Sequence, residues 1–267
     1  MLQKSRYHVG SLITTMPALG ASGPVDIYGS AVLALAEIVG GLILSHIVDP
    51  EAPLTGYVAS LELDMRTANP SSATSRTVRL DATVHQAMAK CFGGRAQVGG
   101  RGYVSAKAPG LQAVLERFLK ARGYAALVDD GGFSYSGTGN LDNGSMLSPE
   151  QYLLDLDIME ALGELQTAPL IPAEGEVAAR LEAAVGNGGN FLTEEHTLEH
   201  FRDEVRESLC FNARPQAFLE DAVVEKCHAR YRETLAAYKP ASHSDQVLRQ
   251  LRGILRRAKT AAARGFV

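Results

Sequence analysis

Short apolar runs with extended character alternate with helical patterns over the first 163 residues of the chain. The runs predicted as strands are Leu12–Met16, Leu54–Ser60, Ala96–Val98 and Tyr124–Val128. Each is followed by a segment with helical periodicity. This alternation predicts four strand–helix units, with parallel strands joined by right-handed crossovers.

The helical segments carry recognisable start signals and stripes. The third helix is predicted to begin at Ala108-Pro109, since proline is tolerated in the first turn. Its apolar stripe is Leu111, Val114, Leu115, Phe118 and Leu119, with Arg117, Lys120 and Arg122 off the stripe. The fourth helix is predicted to open with the capping-box pattern Ser148–Gln151.

After Gly163 the pattern changes to helices alone. The sequence therefore predicts two regions, residues 1–167 as a strand–helix domain and residues 168–267 as a helical extension packed on it. The last helix is basic and amphipathic, with an apolar stripe of Leu248, Leu251 and Leu255. A surface helix is the simpler interpretation, and docking to a membrane or a partner is the alternative.

One segment, Ser30–Val48, is apolar enough to be tested as a membrane span. It contains Glu37 and His46 and lacks flanking Lys or Arg. A carboxylate at mid-span costs about 2.5 kcal/mol or more, and the positive-inside signal is missing. The sequence predicts a helix buried on most sides rather than a span.

Composition narrows the class of protein. The chain has 267 residues, a net charge of -4, 46% apolar residues and 21% charged residues, as in a globular protein. The acidic balance argues against nucleic acid as a partner. Three scattered cysteines without a CxxC pair and the absence of an apolar signal-peptide core in Met1–Gly10 predict a reducing, cytoplasmic location.

Four segments are shared, in order, with a known family. They are Met16–Val25 before the apolar helix, Asp64–Thr67 after the second strand, Ser105–Pro109, and Gly188–Leu192 with His196–Leu198 and His200–Arg202. Together they resemble the trimethylamine–corrinoid methyltransferase family. The resemblance implies the C-terminal half of a (β/α) TIM-type barrel, about four parallel strand–helix units, followed by C-terminal helices. Gly99–Tyr103 reads Gly-Gly-Arg-Gly-Tyr where pyrrolysine would be expected, which points to the non-pyrrolysine branch.

The resemblance implies methyl transfer from a tertiary or quaternary amine, of the trimethylamine or glycine betaine type, to a Co(I) corrinoid. The corrinoid (cobalamin) is carried by a separate corrinoid-binding protein, so this chain is expected to bind no cofactor directly and no metal. A quaternary ammonium needs no general acid, and the enzyme supplies a pocket for the cation, in-line alignment and exclusion of water. Aromatic faces and carboxylates suit such a cation.

Barrel enzymes carry their functional groups at the carboxyl ends of the strands. That rule selects the substrate-binding candidates Asp64, Arg101, Tyr103, Lys107, Phe133 and Tyr135. Arg101 or Lys107 could hold the carboxylate of a betaine, and the three aromatic residues could form the walls of a cation cage. The alternative for each single candidate is an ordinary solvated loop residue. No catalytic residue is assigned.

Three alternatives stay open. The glycine-rich loop Gly131–Gly144 would suit a phospho-ligand barrel enzyme, although it lacks the spacing of a phosphate loop. His196 and His200 have a spacing that can bind metal, but without an evident third ligand a capping and packing role is expected.

A half barrel leaves two open sheet edges, which predicts pairing with a separate N-terminal half or a second copy. A non-catalytic half-barrel subunit or relic is the third alternative.

Overall fold

The computed structural model describes residues 9–128, 137–164, 174–186, 188–204, 208–209, 220–240 and 242–263. The chain divides into two compact units, Met1–Ala229 and Arg230–Val267. The strands are β1 (Ser11–Thr15), β2 (Ala18–Leu19), β3 (Leu54–Val58), β4 (Leu61–Asp64), β5 (Asn69–Ser71), β6 (Ala96–Val98), β7 (Asn140–Leu141) and β8 (Met146–Leu147). The helices are α1 (Ile27–Val48), α2 (Ser75–Phe92), α3 (Leu111–Val128), α4 (Pro149–Glu164), α5 (Glu174–Gly186), α6 (Glu195–Glu204), α7 (Glu220–Ala237) and α8 (Asp245–Ala263).

The centre of the first unit is a parallel sheet in the order β1-β3-β6. Leu12 pairs with Thr55 on β3, and Tyr57 pairs with Gln97 on β6. Three of the four predicted strands are therefore confirmed, as is their parallel direction. A closed barrel is not found among the described residues, and the outer edges of β1 and β6 meet no strand there. A smaller sheet, β2-β4-β5, continues from the carboxyl ends of β1 and β3.

The fourth predicted strand is wrong. Tyr124–Val128 forms the last turns of α3, because Tyr124 and Val128 continue the buried side of that helix at intervals of four residues from Lys120. Gly123 does not interrupt the helix. A Cβ at this position would lie 2.7 Å from Cγ1 of Val78 on α2, so the glycine lets the two helices approach closely.

The middle helix, α2, is the best enclosed of the three helices that follow the strands. Leu80, Val84 and Met88 pack with Ile38 of α1 in the main core cluster. Val78 packs on the other side, with Tyr124 and Val128 of α3. A capping box formed by Thr74 and Thr77 begins the helix, and Gly93 ends it in the left-handed conformation, with φ 68°.

The apolar stripe of α3 faces outward, which reverses the usual arrangement of an amphipathic helix. Its buried residues are Ala113, Arg117, Lys120, Tyr124 and Val128. The residues that make the stripe in the sequence are largely exposed, as Leu111, Leu115, Phe118 and Leu119 show. Lys120 is completely buried and Arg117 is 4% exposed. The sequence pattern identified the helix but not the side that faces the sheet.

The apolar helix α1 is less buried than the sequence predicted. By length and composition the helix is apolar enough to span a membrane, yet most of its apolar length is not buried in the protein. The carboxylate of Glu37 accepts a hydrogen bond from the hydroxyl of Thr15 on β1, which ties the helix to the sheet. The outer side of the helix is exposed and carries Tyr28, Val32, Ile43, Leu44 and Ile47.

The later helices contribute less core. In the first unit, Val223 and Cys227 of α7 pack against Leu154 of α4. In the second unit, α8 has no buried residue, and its apolar residues Leu251, Ile254 and Leu255 are exposed. The division into regions 1–167 and 168–267 stays a prediction.

Candidate functional site

A turn that follows β6 forms the centre of the candidate site. Gly99–Gly102 makes one 3-10 turn, and the hydroxyl of Tyr57 on β3 donates to the carbonyl of Gly99 at 2.9 Å. A Cβ at Gly99 would fall 1.7 Å from Cζ of Tyr57, so only glycine lets the tyrosine ring lie against the turn.

Strand alternation explains why Tyr57 reaches this turn. Its neighbour Gly56 faces the helices, where it lies against Ile38 of α1, so Tyr57 lies on the opposite face of the sheet. Burial raises the pKa of the Tyr57 hydroxyl, and the nearby Tyr103 and Asp81 add to the effect. Tyr57 is therefore a neutral hydrogen-bond donor next to Tyr103.

Behind the turn lies a buried carboxylate, Asp81 of α2, which is 1% exposed. It accepts from the backbone N–H of Ser60 at 2.9 Å and from the hydroxyl of Tyr124 at 2.7 Å. Burial raises the pKa of Asp81, against the opposing effects of these two donors and of the Lys120 charge. This carboxylate connects the carboxyl end of β3 to α3.

Two cations on α3 hold the backbone of the turn. Nζ of Lys120 donates to the carbonyl of Tyr103 at 2.7 Å, and burial lowers the pKa of this lysine to about 8. Arg117 donates to the carbonyls of Gly102 at 3.4 Å and Gly137 at 3.0 Å. Its Nε lies 2.9 Å from a carboxylate oxygen of Asp155 on α4.

The next residues of the turn are held in the same manner. The carboxylate of Glu116 accepts from the backbone N–H groups of Ser105 at 2.5 Å and Ala106 at 3.2 Å. The hydroxyl of Ser105 lies 2.9 Å from that of Ser71 on β5 and accepts from the N–H of Ser72. The turn after β6 and the end of β5 are thus joined by direct hydrogen bonds.

The structure places two of the predicted substrate residues in this turn. Arg101 and Tyr103 are both half-buried. The guanidinium carbon of Arg101 lies 5.4 Å from the centre of the Tyr124 ring, within the range of a cation–π contact. The Tyr103 ring lies beside Gly144, where a Cβ would approach Cε1 to 2.8 Å.

The other predicted residues are differently placed. Lys107 is exposed. Asp64 is the last residue of β4, and its carboxylate accepts from the backbone N–H of Arg66 at 2.9 Å in the turn that follows. That hydrogen bond, with further contributions from Thr67 and Arg66, lowers the pKa of Asp64. Phe133 and Tyr135 lie outside the described residues. Their assignment to the substrate site stays a prediction.

Sequence reasoning missed the residues that hold the turn together, namely Tyr57, Asp81, Arg117, Lys120 and Tyr124. The alternation of Gly56, Tyr57 and Val58 was a usable signal, since it puts a tyrosine on the face opposite the helices. The charged residues of α3 gave no such signal, because charge next to an apolar stripe normally marks the solvated side.

The described part of the glycine-rich loop, residues 137–144, uses its backbone N–H groups within the protein. Gly139 donates to Asp155 at 2.7 Å. Asp142 and Asn143 donate to the carbonyls of Ala106 and Val104 at 2.8 and 2.7 Å. A phosphate cradle needs free N–H groups and no adjacent carboxylate, so this part of the loop does not support a phospho-ligand site.

The two histidines of α6, His196 and His200, lie with their ring centres 4.5 Å apart. Among the described residues, no group of three or more His, Cys, Asp or Glu side chains is placed to hold a metal ion.

The fold and the site define a class of protein. A parallel sheet with helices on one face, and aromatic and charged residues gathered beyond the carboxyl ends of its strands, is an arrangement typical of β/α proteins. The family model described as trimethylamine methyltransferase (MTTB) matches residues 3–263. The chain therefore belongs to the trimethylamine methyltransferase family.

Individual relatives agree with that membership. The chain is 24% identical over 247 residues to a glycine betaine methyltransferase of Desulfitobacterium hafniense (strain Y51), covering 91% of this chain and 50% of the relative. It is 23% identical over 266 residues to a trimethylamine methyltransferase MttB of Desulfitobacterium hafniense (strain DSM 10664 / DCB-2), covering 96% and 51%. It is 26% identical over 200 residues to MttB of Methanosarcina barkeri, covering 74% and 39%. The chain spans about half the length, or less, of these relatives.

Proposed function

We propose that this chain takes part in moving a methyl group from a tertiary or quaternary methylated amine to a Co(I) corrinoid carried by a separate protein. The observation that carries the proposal is the family match over residues 3–263. Similarity to both a glycine betaine methyltransferase and trimethylamine methyltransferases supports a methylated amine as the substrate class.

The turn after β6 supplies groups suited to such a substrate. Tyr57 and Tyr103 are near each other at the carboxyl end of the sheet, and aromatic faces attract a methylated ammonium. Arg101, half-buried in the same turn, suits the carboxylate of a betaine. We infer that these three residues, rather than Asp64 and Lys107, form the described part of the substrate site.

The reaction moves the methyl carbon away from nitrogen, and the electron pair of the broken C–N bond stays on the amine. A quaternary ammonium leaves as a neutral amine, so no proton has to be supplied in this step. The residues of the chain then have to orient the substrate in line and exclude water. The Tyr57 hydroxyl is protonated at neutral pH, as is usual for tyrosine, and burial raises its pKa further. Its ring forms part of the proposed wall, and its hydroxyl supports the turn through the carbonyl of Gly99.

The corrinoid-binding protein is the proposed partner. When bound, its cobalt centre supplies the nucleophile that accepts the methyl group. The candidate site lies in the turn beyond the carboxyl end of β6, where Arg101 and Tyr103 are half-buried. In a β/α barrel the functional groups are reached from that end, so we infer that the carrier approaches there.

A second proposed partner is a β/α segment that completes the sheet. Parallel sheets are normally covered on both faces, and the two flanking helices α1 and α3 both expose apolar side chains. We infer that the three-stranded sheet is an arc of a TIM-type barrel, which strands from the remaining length of the relatives, or from a second copy, would continue at β1 and β6.

The activity is tested by mixing the chain with a reduced corrinoid protein and following loss of the Co(I) absorbance after adding glycine betaine, trimethylamine or tetramethylammonium. We expect decay with at least one of them. Arg101→Ala is expected to reduce kcat/KM for glycine betaine by about tenfold or more, the usual loss for a charge-assisted hydrogen bond, and to leave tetramethylammonium unaffected because it has no carboxylate.

The aromatic wall is tested by Tyr103→Ala against Tyr103→Phe. Phenylalanine keeps the ring and should retain most of the activity, whereas alanine should lose about fivefold or more. No decay with any amine, both alone and with the other half of a relative added, would contradict the proposed function and favour a non-catalytic subunit or relic.

The completing partner is tested by sedimentation of the chain alone and with the part of the Desulfitobacterium glycine betaine methyltransferase outside the match. We expect a one-to-one complex or, if a second copy takes that place, a homodimer. A monomer that stays monomeric in the mixture and unfolds cooperatively would contradict this proposal.

A further inference from the structure

The inner side of α3 carries charge where a helix packed on a sheet normally carries apolar residues. Arg117 and Lys120 are almost fully buried, and the apolar stripe of the same helix is exposed. Burying a cation is costly, and replacing a buried ion pair with well-packed apolar residues is often neutral or stabilising. Stability alone therefore does not account for this orientation of α3.

The contacts of the two cations point to a different role. Lys120 donates to the carbonyl of Tyr103, and Arg117 donates to the carbonyl of Gly102. These two carbonyls lie on either side of the Cα atom that carries the Tyr103 side chain. Two buried donors on one rigid helix therefore fix the backbone on both sides of Tyr103.

Arg117 also sets the distance between two loops. It donates to the carbonyl of Gly137 as well as to that of Gly102, and a Cβ at Gly137 would lie 2.3 Å from Cα of Gly102. The two backbones are thus in direct contact and share one guanidinium. Asp155 holds that guanidinium at 2.9 Å and also accepts from the N–H of Gly139 in the second loop.

The carboxylates of the cluster complete the frame. Glu116, next to Arg117 in α3, accepts from the N–H groups of Ser105 and Ala106 further along the turn. Asp81 lies close enough to Lys120 for its charge to oppose the loss of the lysine proton, and it holds the end of β3 through Ser60. Cations of α3 thus bind carbonyls of the turn, and the Glu116 carboxylate binds N–H groups of the residues that follow it.

We propose that Lys120 and Arg117 are positioning residues, which fix the carbonyls of Gly102 and Tyr103 and thereby aim the side chains of Arg101 and Tyr103 at the substrate. The inference rests on the proposed function only in taking Arg101 and Tyr103 as substrate contacts; the fixing of the turn does not depend on it. A displacement of about 1 Å of such groups can cost on the order of a hundredfold in rate.

The test compares Lys120→Met, which keeps the length of the side chain without its donor, with Lys120→Gln, which restores an N–H donor. Lys90→Met on the exposed part of α2 is the matched control. The first readout is hydrogen exchange, resolved by peptide, which needs no activity. In Lys120→Met we expect exchange about tenfold faster or more in residues 99–106, with β1 and β3 unchanged, and partial recovery in Lys120→Gln.

The second readout is methyl transfer with the corrinoid assay described above. Lys120→Met should lose about tenfold or more in kcat/KM, and Lys120→Gln should recover part of it. If Lys120→Met does not fold, the pair Lys120→Met with Asp81→Asn removes both buried charges and takes its place. Loss of protection spread equally over the sheet, or unchanged exchange in residues 99–106, would overturn the proposal. Faster exchange in the turn of a chain that never transfers methyl would instead overturn the proposed function.

Discussion

The three helices that follow the strands of the central sheet differ in what covers them. α2 has α1 on one side and α3 on the other, and its exposed positions carry Arg79, Gln86 and Lys90. α1 has α2 as its neighbour, and α3 contacts both α2 and α4, since Arg117 of α3 lies 2.9 Å from Asp155 of α4. Both α1 and α3 still present apolar side chains to solvent, as Ile43 of α1 and Phe118 of α3 show. The large exposed side chains of α2 are thus mostly polar, with Phe92 at its end as an exception, whereas those of α1 and α3 are mostly apolar.

The difference agrees with the proposal that further β/α segments cover the outer sides of α1 and α3. A surface helix normally presents its charged side to solvent, and α2 does so. α1 and α3 depart from that rule at the same two places where β1 and β6 have open edges among the described residues. Under that proposal, the helices and the strands would gain neighbours at the same borders, as in an arc of a larger β/α structure.

Shortening one large side chain in the enclosed helix α2 and one on the outer side of α1 should give the largest difference in stability between the two helices. Leu80→Ala in α2 removes a fully buried side chain and should lower the free energy of unfolding by about 3 kcal/mol. Ile43→Ala in α1, where the side chain is 56% exposed, should change it by less than about 0.5 kcal/mol. Urea unfolding of the two variants at low protein concentration measures both.

A large loss in Ile43→Ala would break the comparison. It would mean that the outer side of α1 is covered in solution by another molecule. Repeating the measurement at tenfold higher protein concentration identifies that case, because a loss caused by self-association depends on concentration.

The charged contact between α2 and α3 gives a smaller, pH-dependent effect. Lys120 has a pKa of about 8 in the folded chain against 10.5 unfolded, so the unfolded chain binds more protons between these values. Stability then rises with pH over that window. From pH 7 to 9.5 the wild type should gain about 2 kcal/mol relative to Lys120→Met.

Urea unfolding at the two pH values measures this difference, with Lys90→Met as the control that should follow the wild type. A wild type that gains nothing relative to Lys120→Met would show that the lysine is solvated, and α3 would then not be the close neighbour of α2 that the comparison requires.

The smallest expected effect concerns the start of α2. The hydroxyl of Thr74 accepts from the N–H of Thr77 in the capping box, and Thr74→Ala should cost about 1 kcal/mol. Thr83→Ala is a matched control in the same helix, since the Thr83 hydroxyl donates to the carbonyl of Arg79 and its loss should be near neutral. The midpoint of thermal unfolding is measured for both variants. An equal decrease in the two would mean that the Thr74 cap contributes no particular stability to the start of α2.

The sequence predicted the parts of the fold that depend on local pattern. The strands at Leu12, Leu54 and Ala96 were found as short apolar runs with extended character. The rule that barrel enzymes carry functional groups after their strands selected Arg101 and Tyr103. The strand predicted at Tyr124–Val128 was wrong because an apolar run of five residues suits a strand and a buried helix end equally. The sequence could not show which side of α3 faces the sheet. That side is set by carbonyls of loops elsewhere in the chain, such as that of Gly137, which accept from its buried cations.

Gly40 lies in the middle of α1, on its exposed side, and a Cβ there would meet nothing within 4 Å. Glycine in a helix interior is less stable than alanine by about 0.5 to 1 kcal/mol, so selection for stability alone would favour Gly40→Ala. A saturation library selected once for folding and once for growth on a methylated amine would separate the two demands. Alanine and larger residues at position 40 should be enriched in the first selection. Their depletion in the second would indicate that another segment packs against this glycine when the chain functions.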